Sequence, residues 1–159
     1  KMMSKQPPDK MNNANSIPST IEGWTLPAWV GCTGSGAVKE AHLEIHKDGS
    51  LFDTYDFKGR PILSVGRATD GRVMYVLDHP SISRFHAVFL HHRHLEDYWI
   101  VDMGSAHGTF IGHPPNPAKL EPRLPTRLAF DTPIRFGASS RTYVIKPGPE
   151  PPRGGHGKQ

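Results

Sequence analysis

The chain has 159 residues, enough for one domain of ordinary size plus flanking segments. Pro and Gly number 16 each, about a fifth of the chain against a usual ~12%, which argues against a helical bundle and for many turns. Lys and Arg total 19 against 15 Asp and Glu, but residues 23–146 hold 14 basic and 12 acidic side chains, so half of the formal +4 lies at the ends, and a strong nucleic-acid binder is not expected.

The first segment, residues 1–22, mixes Lys, Gln, Asn, Ser, Pro and Met without a period and reads as a disordered tail. It opens as Lys1-Met2-Met3-Ser4-Lys5, without the apolar stretch of a signal peptide. A start at Lys1 reads as a segment of a longer protein. Cys32 is the only cysteine, which leaves no internal disulfide framework or Cys-based zinc site and predicts a reducing, intracellular setting. Gly31-Cys32-Thr33-Gly34-Ser35-Gly36 is a flexible loop; no Lys-Ser/Thr follows it, so it is not a nucleotide-phosphate loop.

Residues 23–147 carry short apolar runs with a period near two. Leu43 and Ile45 alternate with His42, Glu44 and His46; Leu51-Phe52 and Tyr55 follow, then a turn at Lys58-Gly59. Ile62 to Val65, Val73 to Leu77, Ala87 to Leu90 and Tyr98 to Val101 come next, the last as continuously apolar as a central strand. Thr109 to Ile111, Arg127 to Phe130, Pro133 to Phe136 and Thr142 to Ile145 complete the set. Such strands between Gly, Pro and Asp turns predict an all-β sandwich. Residues 148–159 form a Pro/Gly-rich tail. The longest apolar runs fall far short of the ~18 residues of a membrane span, so no membrane partner is expected.

Three motifs fall at strand ends: Gly66-Arg67, Ser83-Arg84-Phe85-His86, and Asp102 to Thr109 with His107-Gly108. A sandwich gathers alternate loops at one end, so the three could share a surface. That surface suits a phosphate monoester: Arg67 and Arg84 offer forked donors, and Ser83 a hydroxyl. Three hydrogen bonds to a charged group, each worth roughly 1.5–3 kcal/mol, give moderate, reversible binding once ordering costs are subtracted.

Gly66-Arg67, Ser83-x-x-His86 and the turn at His107-Gly108 resemble, in order and spacing, the forkhead-associated (FHA) domain, over about Trp24 to Pro147. Residues 77–87, 105–113 and 136–141 are most similar to members of that family tied to type-one protein phosphatase. The resemblance implies a sandwich of about eleven strands that binds phosphothreonine peptides and recruits nuclear, splicing-related partners. Arg67 and Ser83 would bind the phosphate, and Arg84 would assist it or touch the peptide backbone. His86 would support Ser83 from below, and Gly66 and Gly108 would be conformational. His107 stands where the family usually has Asn, and Ala106 where Thr is common, which bears on the selection of phosphothreonine over phosphoserine.

Other chemistries are weaker. Ser83, His86 and Asp102 could be assembled into a triad, but no Gly-x-Ser-x-Gly elbow is present and no catalysis is expected. His91-His92-Arg93-His94 with His113 matches no common zinc spacing, so neither metal nor cofactor is called for. A single-stranded RNA-binding β surface could use Arg93, Arg123, Arg127, Arg135 and Arg141. Arg72-Val73-Met74-Tyr75 mimics a phosphatase docking motif but reads as a buried strand. Any association with type-one protein phosphatase would then run through regions outside this chain.

Overall fold

The structure, a computed structural model, describes residues 17–152. Asp48-Gly49 shows how local sequence sets the pairing. Both residues have positive φ (53° and 81°), the mirror-image turn that matches strand twist, and it joins β3 (Ala41–Lys47) to β4 (Ser50–Asp56) as a hairpin.

The remaining strands are β1 (Thr20–Ile21), β2 (Trp24–Thr25), β5 (Ile62–Gly66), β6 (Tyr75–Val76), β7 (Ala87–His91), β8 (Tyr98–Asp102), β9 (Thr109–Ile111), β10 (Ala118–Lys119), β11 (Thr126–Leu128), β12 (Pro133–Phe136) and β13 (Thr142–Pro147). Eleven of them form two sheets, ordered β10-β9-β12-β13-β3-β4 and β11-β8-β7-β5-β6. Only β5 and β6 pair in parallel within these sheets. No helix is long and apolar enough to cross a membrane among the described residues.

Alternation explains the packing. Leu43, Ile45, Ile134, Phe136, Tyr143 and Ile145 from one sheet meet Leu63, Val65, Phe89, Tyr98 and Ile100 from the other. Phe57 sits among them, edge-on to Phe89 and Tyr98 with ring centroids 5.6 and 4.9 Å apart.

β7 and β8 are apolar on both faces, as the continuous run at Tyr98 to Val101 predicts. Their outward residues, Val88, Leu90, Val101 and Met103, are covered by Leu26 and Val30, with Ile17, Ile21, Trp24 and Trp29 alongside. This cover is why order begins earlier than the composition of residues 1–22 predicts. Ile17 and Ile21 are too sparse to register as a period, yet they dock on an apolar sheet face, and Thr20–Ile21 pairs with Trp24–Thr25. At the other end the Gly148 N–H donates to the Glu40 carbonyl at 2.8 Å, and Thr54 Oγ1 donates to Glu150 Oε1 at 2.6 Å. Residues 1–16 and 153–159, the bulk of both expected tails, lie outside the described residues.

Truncating Phe57 removes a fully buried ring from the middle of this core. We expect Phe57→Ala to cost about 3–5 kcal/mol, read from urea denaturation, with the slope of the transition unchanged.

Candidate functional site

β5, β8 and β12 end, and β7, β9 and β13 begin, at the same pole, so the three sequence motifs converge there. The motif residues that meet are Gly66, Arg67, Ser83, Arg84, His86, Ala106, His107 and Gly108.

His86 is wholly buried beneath them. Its Nδ1 accepts the backbone N–H of Ser83 at 3.0 Å, and its Nε2–H donates to the Gly108 carbonyl at 2.9 Å. The first bond requires a bare Nδ1 and the second a protonated Nε2, so the ring is neutral in a single tautomer. Burial holds its pKa below the ordinary histidine value, against the opposing pull of the Gly108 carbonyl and Asp102.

Ser83 Oγ accepts the N–H of Ala106 at 2.9 Å, which leaves the hydroxyl proton available to a ligand. Arg67 extends from the end of β5. Its N–H donates to the Ser83 carbonyl at 2.9 Å and its Nε to the Ile82 carbonyl at 2.8 Å. The side chain is thus aimed along the Ser83 loop, and its outer nitrogens are uncommitted among the described residues. Arg84 is exposed and donates from Nη2 to Asp70 Oδ2 at 3.1 Å; the same carboxylate is gripped by Arg72 through two side-chain bonds. Hydrogen bonds from Arg72 hold the Asp70 carboxyl below its usual range.

Gly66 is required by close approach. A Cβ there would lie 2.2 Å from the Arg84 carbonyl oxygen. Gly108 instead has φ +90°, a left-handed conformation that disfavours a side chain. Ala106 and His107 form the exposed tip of their loop.

Asp102 organises that loop. It is buried, and its Oδ1 accepts Ser105 Oγ and Thr109 Oγ1, each at 2.6 Å. Its Oδ2 accepts the N–H groups of Gly104 and Ser105, each at 3.0 Å. Burial pushes the carboxyl up, but these donors outweigh it and the pKa is lowered. Ser105 Oγ then accepts the Gly108 N–H at 2.9 Å, closing the turn. In the same way Ser81 Oγ accepts the Ala138 N–H at 2.7 Å and ties the Ser83 loop to the β12–β13 loop. Sequence reasoning weighed Asp102 only as a triad member and passed over Ser81, Ser105 and Thr109. An Asp followed by Ser at three and Thr at seven residues was the available signal.

The triad is not wired for nucleophilic catalysis. Ser83 Oγ bonds Ala106 rather than the imidazole, and His86 Nε2 stands 3.8 Å from Asp102. His91 is buried between the Gly31 carbonyl and the Lys39 N–H, and His92 stacks on Trp29 at 4.6 Å. Among the described residues no group of three or more His, Cys, Asp or Glu could hold a metal ion. The arginines of the RNA reading are not brought together. Arg127 lies on β11 of one sheet, and Arg135 on β12 of the other. Val73 of the docking-motif mimic is buried, and Arg72 is occupied by Asp70.

His86→Ala strands a Ser83 N–H and a Gly108 carbonyl, and we expect it to cost about 2–4 kcal/mol in denaturant unfolding. Since the folded state holds His86 neutral with a lowered pKa, its contribution is complete above about pH 6.5 and is lost as pH falls below that value. The loss of stability between pH 7.5 and 5.5 should therefore be smaller in His86→Ala than in the unmodified protein. Asp102 acts in a separate window, below the ordinary carboxylate value near 4.

Residues 63–137 match the FHA domain family. Nuclear inhibitor of protein phosphatase 1 from Homo sapiens is 32% identical over 139 residues, which span 87% of this chain and 36% of that protein. Kanadaptin from Homo sapiens is 34% identical over 120 residues, 70% of this chain and 15% of that protein. Among solved structures, the FHA domain of TbPar42 gives a TM-score of 0.59 at 28% identity, covering 92% of this chain and 73% of that one. The MEK1 FHA domain, solved with a HOP1 phosphothreonine peptide, gives 0.54 at 25% identity, covering 69% of this chain and 98% of that one. The family match spans the three motifs and the loops they build, and the chain belongs to the FHA family.

Proposed function

We propose that this chain is a phosphothreonine-peptide binding module. The observation that carries the reading is the pairing of Arg67 with Ser83. A guanidinium fixed through Nε presents its outer nitrogens beside a hydroxyl that keeps its proton. A phosphate dianion accepts from both, and forked, charge-assisted bonds to it are the strong kind. Arg84, braced by Asp70, adds a second guanidinium at the rim. His107 is placed to meet the peptide backbone. Ala106 supplies its N–H to Ser83 and leaves less apolar wall for the phosphothreonine methyl than a Thr would.

The phosphothreonine peptide held by the MEK1 domain supports the ligand class. The name of the phosphatase inhibitor supports a nuclear setting and, through regions outside this chain, an association with type-one protein phosphatase. Splicing-related partners carrying phosphothreonine fit that setting. Such a module recruits and does not catalyse.

A phosphopeptide array tests the reading. Phosphothreonine peptides should be retained over their unphosphorylated twins, and equal retention would overturn it. Arg67→Ala should weaken binding about 10- to 100-fold while costing only about 1 kcal/mol of stability for the lost bond to Ile82. Ala106→Thr should widen the gap between phosphothreonine and phosphoserine peptides.

A further inference from the structure

The loop that touches Ser83 carries two glycines, and a cation lies against each. A Cβ on Gly104 would stand 2.9 Å from Arg123 Nη1 and 3.2 Å from its Cζ; one on Gly108 would stand 2.8 Å from Lys119 Cε. Both side chains come from the crossover between β10 and β11. Lys119 is set by its pairing with Phe110 in β9. Arg123 is set by its N–H bond to the Asp102 carbonyl at 2.7 Å, and it holds a φ of 60° that a non-glycine residue seldom adopts.

The ion pairs among the described residues use other cations. Asp102, the nearest buried acid, is saturated by Ser105, Thr109 and Gly104. Glu121 is exposed on the same crossover and pairs with neither cation. Two exposed positive charges thus flank the loop whose tip, Ala106, bonds Ser83. Each glycine is two residues from Ala106, within about 7 Å between Cα atoms.

We infer that Lys119 and Arg123 form a second anion subsite, which takes a further phosphorylated or acidic side chain of the bound peptide. The inference rests on the phosphopeptide reading and adds a selectivity to it. An extended peptide advances about 3.3 Å per residue, so the second anion would stand about two to four residues from the phosphothreonine. Placing it there relieves the mutual repulsion of two unpaired cations. If instead the two side chains serve only to cover the loop, their removal lowers stability and leaves selectivity untouched.

The test is fluorescence polarisation with the full chain and three peptide types: one phosphothreonine; a second phosphothreonine two, three or four residues away on either side; and Glu in place of that second phosphate. The doubly phosphorylated peptide of matching spacing should bind about 3- to 10-fold tighter than the single one, with the gain shrinking as salt is raised. The Glu peptide separates the sources: a comparable gain assigns the subsite to carboxylates as well, and none assigns it to phosphate.

Lys119→Gln with Arg123→Gln should erase the gain and leave binding of the singly phosphorylated peptide within about 2-fold. Where that pair lowers the melting temperature, Arg123→Lys alone keeps the charge without the flat guanidinium and should retain most of the gain. Equal affinity for single and double peptides, or a gain that survives in the double variant, overturns the inference. Failure of the singly phosphorylated peptide to bind better than its unphosphorylated twin would overturn the phosphopeptide reading instead, and this subsite with it.

Discussion

The imidazole of His86 has two hydrogen-bonding edges, and both are spent on backbone: a Ser83 N–H on one side and a Gly108 carbonyl on the other. A flat ring with a donor and an acceptor about 2 Å apart across it fixes the separation and orientation of two loops that share no strand pairing. Arg67 inherits its aim from the same contact, because the carbonyls that hold it belong to Ile82 and Ser83. The site thus depends on a residue that no ligand could reach. No other common side chain offers a rigid acceptor and donor on opposite edges while neutral at pH 7.

Asp102 does for one loop what His86 does between two. A buried carboxylate is costly unless its lone pairs are filled, and here backbone amides and hydroxyls fill them without a cation. The loop therefore closes around a negative charge held inside, while its outer surface is left to positive ones. That separation keeps the carboxylate from competing for a cation the surface needs.

The strand content and the pole where the loops gather were legible because period two, turn residues and the three spaced motifs all point the same way. The individual side chains of the site, His86 included, were legible from the motif order. Two features were not. The N-terminal cover was hidden because its contribution is six scattered apolar side chains, Ile17 to Val30, recruited by the outward faces of Val88 and Val101. Composition averages such residues away, while contact does not. The hydroxyl network of Ser81, Ser105 and Thr109 was hidden because each residue is an ordinary turn former, and only the fold decides which carboxylate or amide it meets. Strand β10 is a third case: Ala118 and Lys119 have no strand pattern and pair only because β9 is there to receive them.

β13 runs away from the loops and ends at Pro147 opposite Ala41, and Val30 bridges to His92 just beyond the far end of β7. The polypeptide therefore both approaches and departs the sandwich at the pole remote from Arg67. Six residues of β13 separate the two poles by about 20 Å. Anything joined to this segment at either side is held like a handle, with the recognition face turned outward. A neighbouring domain could swing widely on its tether without shading the loops, and a bound peptide could be long at both ends without colliding with the chain that carries its receptor.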